Sequence, residues 1–214
     1  MEIALSRMHY PVTTLGPGRR VGIWFQGCSI RCPGCISVDT WRAKTAETTV
    51  EQLVRSISQW LTECDGITIS GGEPFDQPSA LHAFLVALAT FDKDVLVFTG
   101  YSVEYALQIM HGWDGGLIDA LISDPFEQHT SQTKPLRGSD NQRLNLLTAR
   151  GAARFASYER SLTPEDRQLD LLIDKDGTAW LAGIPRPGDL QALQAWLIAE
   201  GHRATTTELS RTAP

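Results

Sequence analysis

Short apolar runs alternate with segments of helical period along the first half of this 214-residue chain, and no other feature constrains its fold as much. Val21 to Phe25, Gly66 to Ser70, Val95 to Thr99 and Ile118 to Ile122 each have the apolar density of a buried strand. Between the first two, Thr48 to Glu63 repeats Val50, Leu53, Val54, Ile57 and Leu61 at helical spacing. Thr48 is placed to cap that helix, and Glu51 to complete a capping box. Ser79 to Thr90 sets Leu81, Phe84, Leu85 and Leu88 on one helical face, and Val103 to Met110 reads as a third, short helix. Strands alternating with helices predict βα units and a parallel sheet, so the fold class is α/β. Sites in such sheets form beyond the carboxyl ends of the strands. A cysteine-bearing loop follows the first run, Gly71 to Pro74 the second, and Thr99-Gly100-Tyr101 the third, so three marked turns gather on one edge.

Beyond the fourth run the pattern changes. Pro125 to Asn141 is polar and unpatterned, long for a loop inside a compact domain, which points to a functional segment or a mobile lid. Leu169 to Ile173 and Thr178 to Leu181 flank Asp176-Gly177, a hairpin signal. Pro187 to Glu200 reads as a helix with Leu190, Leu193 and Leu197 inward and Gly201 ending it. The chain is therefore expected to divide into a core over residues 1–150 and a hairpin–helix extension over 151–214, packed on that core. Thr205 to Pro214 is expected to fray.

Hydrophobic residues make up 42% and charged residues 21%, as in an ordinary globular protein. The net charge of −6 argues against a nucleic-acid groove or an anionic membrane surface as partner. No apolar run approaches the roughly 20 residues of a membrane span. The first residues lack the basic stretch and apolar core of a signal peptide, which places the protein in the cytoplasm.

Of four cysteines, Cys28, Cys32 and Cys35 fall on one loop with spacing C-x3-C-x2-C. A disulfide framework would scatter its thiols and need an oxidising compartment. Three thiolates on a tight loop can hold three irons of a 4Fe–4S cube and leave the fourth open. Gly27 and Gly34 let the backbone curl round such a group. Spacing alone leaves two rivals: zinc, with Cys64 as a fourth ligand, and a redox dithiol.

The chain resembles the radical S-adenosylmethionine superfamily, and within it the activating enzymes of anaerobic ribonucleotide reductase. The stretches that carry the resemblance are Gly27 to Cys35 followed by Trp41, Ile67-Thr-Ile-Ser-Gly-Gly-Glu-Pro74, Val97-Phe-Thr-Gly-Tyr101, Ile118-Asp-Ala-Leu-Ile-Ser-Asp-Pro-Phe126 and Arg137-Gly-Ser-Asp-Asn-Gln142. They cover about residues 15 to 148. The resemblance implies a partial (β/α) barrel of the radical S-adenosylmethionine type with a small C-terminal α+β extension. It implies two cofactors, a 4Fe–4S cluster on Cys28, Cys32 and Cys35 and S-adenosylmethionine. Reductive cleavage would give methionine and a 5′-deoxyadenosyl radical, which activates a glycyl-radical enzyme. A flavodoxin- or ferredoxin-type protein would donate the electron. Cofactor-binding positions are then Gly34, Gly71, Gly72, Glu73, Pro74, Thr99, Gly100 and Tyr101, with Glu73 and nearby backbone oxygens meeting the cofactor's ammonium group. No separate catalytic side chain is assigned. Trp41 is placed to pack over the cluster loop, and Arg137 and Asn141 to meet substrate or cofactor; core packing and a solvated loop are the competing readings. Cys64 reads as a small buried residue, and the five histidines share no metal-site spacing.

Two departures bear on the substrate. The chain runs on for about 65 residues past the family core, and Ser123-Asp124-Pro125-Phe126 lacks the family's usual glycine after the aspartate. The alternatives are a radical enzyme acting on another protein, a peptide or a small molecule, and a non-catalytic iron–sulfur or zinc protein that binds a partner.

Overall fold

The structure, a computed structural model, describes residues 1–43, 45–174, 178–186 and 188–206. Strands β1 (Glu2–Ile3), β2 (Leu5–Val12), β3 (Arg20–Phe25) and β4 (Thr48–Thr49) precede helix α1 (Val50–Glu63). Then come β5 (Gly66–Gly71), α2 (Pro78–Leu88), β6 (Asp94–Phe98), α3 (Val103–Ile109), β7 (Ala120–Ser123), β8 (Arg143–Leu146) and α4 (Ala149–Phe155). A hairpin of β9 (Leu169–Ile173) and β10 (Ala179–Gly183) and helix α5 (Asp189–Ala199) follow.

Six strands form one sheet in the order β2-β3-β5-β6-β7-β8. The inner four are parallel, while β2 and β8 run antiparallel along the edges. The inner four are the strands the sequence predicts, because parallel strands covered on both faces read as continuous apolar runs. The edge strands carry no such run: β8 buries none of its residues fully and β2 only Val12.

The pleat sends alternate residues to opposite faces. Val21, Ile23, Phe25, Ile67, Ile69, Val95, Val97 and Leu121 form one core with the apolar stripes of α1 and α2. On the other face Leu96, Ala120 and Ile122 meet Phe155 of α4 and Leu136. Beside them Trp24 packs with Val12, Leu15 and Ala182 of the hairpin. A buried ion pair crosses this second face. Arg20 Nη2 donates to Asp94 Oδ1 at 2.7 Å and to the Ile67 carbonyl at 2.6 Å, and Nε donates to Thr68 Oγ1 at 2.6 Å. Burial pulls the Arg20 pKa down, against the pull of Asp94. Arg154 of α4 donates to the other Asp94 oxygen at 3.1 Å.

Three expectations need correction. The cap of α1 is Thr49, in a capping box with Gln52. Thr48 and Thr49 pair with Ile3 and Glu2, which holds the helix start back by one residue. Glu51 instead faces the Met1 ammonium at 3.3 Å. Residues 125–141 hold no regular element but are fastened on themselves rather than open as a lid. Glu127 N donates to Ser139 Oγ at 3.0 Å, Thr133 N to Asp140 Oδ1 at 2.7 Å, and Asp140 N to the Ser131 carbonyl at 2.8 Å. Leu190, Leu193 and Leu197 form the partly buried side of α5, as expected, while Trp196 and Ile198 are exposed. The expected division at 150 falls inside α4, whose Phe155 is wholly buried in the core.

The hairpin pairs Ala179 with Ile173 through Gly183 with Leu169. Its expected turn at Asp176-Gly177 lies outside the described residues, as do positions 207–214 of the expected fray. Asp170 fastens the hairpin to the core, accepting from Thr13 N and Oγ1 at 2.7 Å each and from Thr14 N and Oγ1 at 3.1 and 2.9 Å. Among the described residues no helix is long and apolar enough to cross a membrane.

A chain cut after Arg150 loses Phe155, Arg154 and every hairpin contact. A core Phe truncated to Ala alone costs about 3–5 kcal/mol. The cut chain is expected to be insoluble or to melt far below the full chain by circular dichroism. A soluble fragment with the full chain's melting temperature would contradict this packing.

Candidate functional site

The cysteine loop leaves the carboxyl end of β3 and is held at its foot by main chain. Gly27 N donates to the Thr40 carbonyl at 2.7 Å and Cys28 N to the Trp41 carbonyl at 3.2 Å. Cys35 N donates to the Cys32 carbonyl at 3.2 Å, and Ser37 N approaches Cys35 Sγ at 3.4 Å. The three thiols are half-buried and in no disulfide. Burial pushes the Cys28 and Cys32 thiols up; main-chain N–H groups of Arg31 and Ile30 at Cys28, and of Phe126 at Cys32, pull the other way. Those donors favour thiolates, the form that binds metal. Gly34 sits at φ +76°, and a Cβ there would lie 2.8 Å from Gln128 Cδ.

The second turn closes on the first. Gly72 N donates to the Phe25 carbonyl at 2.9 Å and Glu73 N to the Gly27 carbonyl at 2.8 Å. A Cβ on Gly72 would stand 2.0 Å from the Gly27 oxygen, so only glycine fits this approach. Pro74 starts a 3-10 turn, Pro74–Asp76, capped by Glu73.

Glu73 is wholly buried. One carboxylate oxygen accepts from Phe75 N at 2.9 Å and Thr99 Oγ1 at 2.8 Å, the other from Gly100 N at 2.8 Å. The carboxylate thus braces the second turn against the third and presents no open face to an ammonium group. Burial pushes its pKa up to about 7, with the three donors opposing. Asp76, which sequence reasoning missed, ties all three turns. It accepts from Ser29 N at 2.7 Å, Ser29 Oγ at 2.9 Å and Tyr101 Oη at 2.7 Å. The Tyr101 hydroxyl also lies 3.0 Å from Ser29 Oγ. Burial, with Asp76 alongside, pushes the Tyr101 pKa up to about 12.

The other candidates fall elsewhere. Arg137 is buried and pairs with Glu159, with further bonds to the carbonyls of Pro135 and Tyr158. Asn141 Nδ2 donates to the Pro125 carbonyl at 2.8 Å. The 125–141 segment meets the cysteine loop through Phe126 and Gln128 instead. Trp41 reaches Cys28 through its carbonyl. Cys64 is buried in the main core at the amino end of β5. Six residues of strand, about 20 Å at the usual rise, separate it from the turn beside the other three thiols. That distance removes it as a fourth zinc ligand. Among the described residues no three His, Cys, Asp or Glu side chains converge on one ion-sized point. Three half-buried thiols on one loop are donors of the kind a 4Fe–4S cube takes on separate iron corners. Asp76 and Ser29 had weak signals: an acidic residue in a Pro-initiated turn, and a hydroxyl between two cysteines.

Residues 14–145 match the family model of the 4Fe–4S single cluster domain. The chain is 31% identical over 137 residues to the anaerobic ribonucleoside-triphosphate reductase-activating protein of Enterobacteria phage T4, covering 60% of this chain and 85% of that one. The protein of the same name from Escherichia coli K12 is 29% identical over 150 residues, covering 65% and 96%. The pyruvate formate-lyase-activating enzyme of Clostridium pasteurianum is 32% identical over 136 residues, covering 59% and 56%.

The raised Glu73 pKa has a direct consequence for stability. The folded protein binds this proton more tightly than the unfolded chain, whose carboxyl titrates near 4.5. Its contribution is fully present below pH 4.5 and is lost as pH rises to about 7. Melting temperatures of wild type and Glu73→Gln, measured across this range, should converge toward neutral pH as the wild type loses ground. Parallel curves would show that Glu73 titrates normally.

Proposed function

Since the chain belongs to the 4Fe–4S single cluster domain family, alongside the reductase-activating proteins, we propose that it is a radical S-adenosylmethionine enzyme that activates a glycyl-radical enzyme such as anaerobic ribonucleotide reductase. Its cofactors are a 4Fe–4S cluster and S-adenosylmethionine. The observation that carries the reading is the meeting of three half-buried thiols with the Gly71–Pro74 and Thr99–Tyr101 turns on one sheet edge. Cys28, Cys32 and Cys35 hold the cluster. When bound, the reduced cluster supplies the one electron that splits S-adenosylmethionine into methionine and a 5′-deoxyadenosyl radical.

The chain's own groups bind, orient and shield. Gly34, Gly71, Gly72 and Pro74 bring main chain close to the cofactor, with Thr99, Gly100 and Tyr101 as the adjoining wall. Glu73 acts from behind, holding the second and third turns in register. The six-stranded sheet is read as the partial (β/α) barrel of this superfamily, with the hairpin and α5 as a small α+β extension. The partner is a protein whose glycine gives up a hydrogen atom, and a flavodoxin- or ferredoxin-type protein is the electron donor.

The test starts from anaerobic purification. The protein should be brown and carry about one 4Fe–4S cluster per chain. Alanine at Cys28, Cys32 or Cys35 should abolish the cluster and 5′-deoxyadenosine formation; alanine at Cys64 should do neither. A partner incubated with the active protein should show a glycyl-radical signal in electron paramagnetic resonance. Tightly held zinc without iron would end the reading.

A further inference from the structure

The hairpin lies outside the matched region, at residues 169–183, yet one of its side chains stacks on an arginine that bonds the turn after the cysteine loop. Trp180 of β10 stacks on the Arg7 guanidinium, 4.8 Å from carbon to ring centroid. Trp24 of β3 lies on the same guanidinium at 5.6 Å. Arg7 therefore sits between two indoles, and its Nη1 donates to Asp39 Oδ2 and, at 3.1 Å, to Ser6 Oγ. Its side chain is only 12% exposed, so the contact is largely out of water. Asp39 belongs to the 3-10 turn Val38–Thr40 that follows Cys35. The Asp39 carbonyl accepts from Gln26 Nε2 at 3.2 Å, and the next two carbonyls accept from the amides of Gly27 and Cys28.

We propose that Trp180 is a positioning residue for the cluster loop: it pins the Arg7 guanidinium, Arg7 fixes Asp39, and the turn carrying Asp39 holds the amides of Gly27 and Cys28. The orientation of Cys28, and with it one iron corner, then depends on a side chain about 150 residues further along the chain. The pairing needs arginine. A flat guanidinium stacks on two rings while its edge bonds a carboxylate, and an ammonium does not do both. The hairpin becomes a support of the cluster's shell in addition to a cap on the sheet.

This inference rests on the assignment of the cluster to Cys28, Cys32 and Cys35, and the test separates the two. Full-length wild type, Trp180→Ala, Trp180→Phe, Arg7→Gln and Asp170→Ala are reconstituted anaerobically. Iron release to an excess of chelator, the resonance spectrum of the reduced cluster and thermal unfolding are then measured. Trp180→Ala and Arg7→Gln should release iron about fivefold to thirtyfold faster, the range between an exposed and a desolvated cation–π contact. Their spectra should also change, while Trp180→Phe stays near wild type. Asp170→Ala removes the bonds that fasten the hairpin to Thr13 and Thr14 and keeps Arg7, Trp24 and Trp180, so it should lower the melting temperature and leave iron release unchanged. Wild-type iron release in Arg7→Gln, or equal release from Asp170→Ala and Trp180→Ala, would overturn the proposal. If Trp180→Ala does not fold, Arg7→Gln decides by the same criterion. If wild type binds no iron at all, the cluster assignment fails, and this inference with it.

Discussion

The buried carboxylate of Glu73 is the interaction on which the candidate site depends. It sits where two strand-ending turns must be held at a fixed separation, and it accepts a bond from each. Alone, each turn bends at glycine, Gly71 and Gly72 in one and Gly100 in the other, where no side chain sets its direction. With the carboxylate between them, Gly71 to Pro74 and Thr99 to Tyr101 move as one body. Asp76 extends the same logic outward to Ser29, so the cysteine loop joins that body on its solvent side. The cost of burying a carboxylate appears as its raised pKa, and three donors offset part of it.

A second buried charge organises the sheet beneath. Arg20 on β3 bonds Thr68 and Ile67 of β5 and Asp94 of β6, so one side chain crosses three parallel strands. A register slip would strand the guanidinium without its partners, and an unpaired buried charge costs several kcal/mol. The ion pair thus selects a register more than it adds stability. The carboxyl ends of these strands, and the turns that follow them, inherit that register.

The inner strands were legible because burial on both faces writes an unbroken apolar run. The cysteine spacing and the glycine-rich turn were legible because their chemistry needs particular residues at particular steps. The edge strands β2 and β8 were hidden, since an edge pairs through main chain and asks little of its side chains. The inward turn of Glu73 was not legible: sequence shows a carboxylate after two glycines, not the direction its carboxyl takes. The contacts of Asp76, Phe126 and Gln128 were hard to read for a related reason. Their contacts join segments 47 to 94 residues apart, and no local pattern records them. The cut at residue 150 failed because a change in texture along the chain is not a change in packing. Phe155 lies past that change yet belongs to the core.

Most of what fixes the cysteine loop is main chain: the carbonyls of Thr40, Trp41 and Cys32 and the amides they hold. Those groups are the same whatever side chain hangs from them. A substitution at the mouth, at Gln128 for instance, would leave those main-chain bonds to the loop in place. A scaffold of this kind separates its engine from its doorway, and new partners can be fitted to the doorway without retuning the engine.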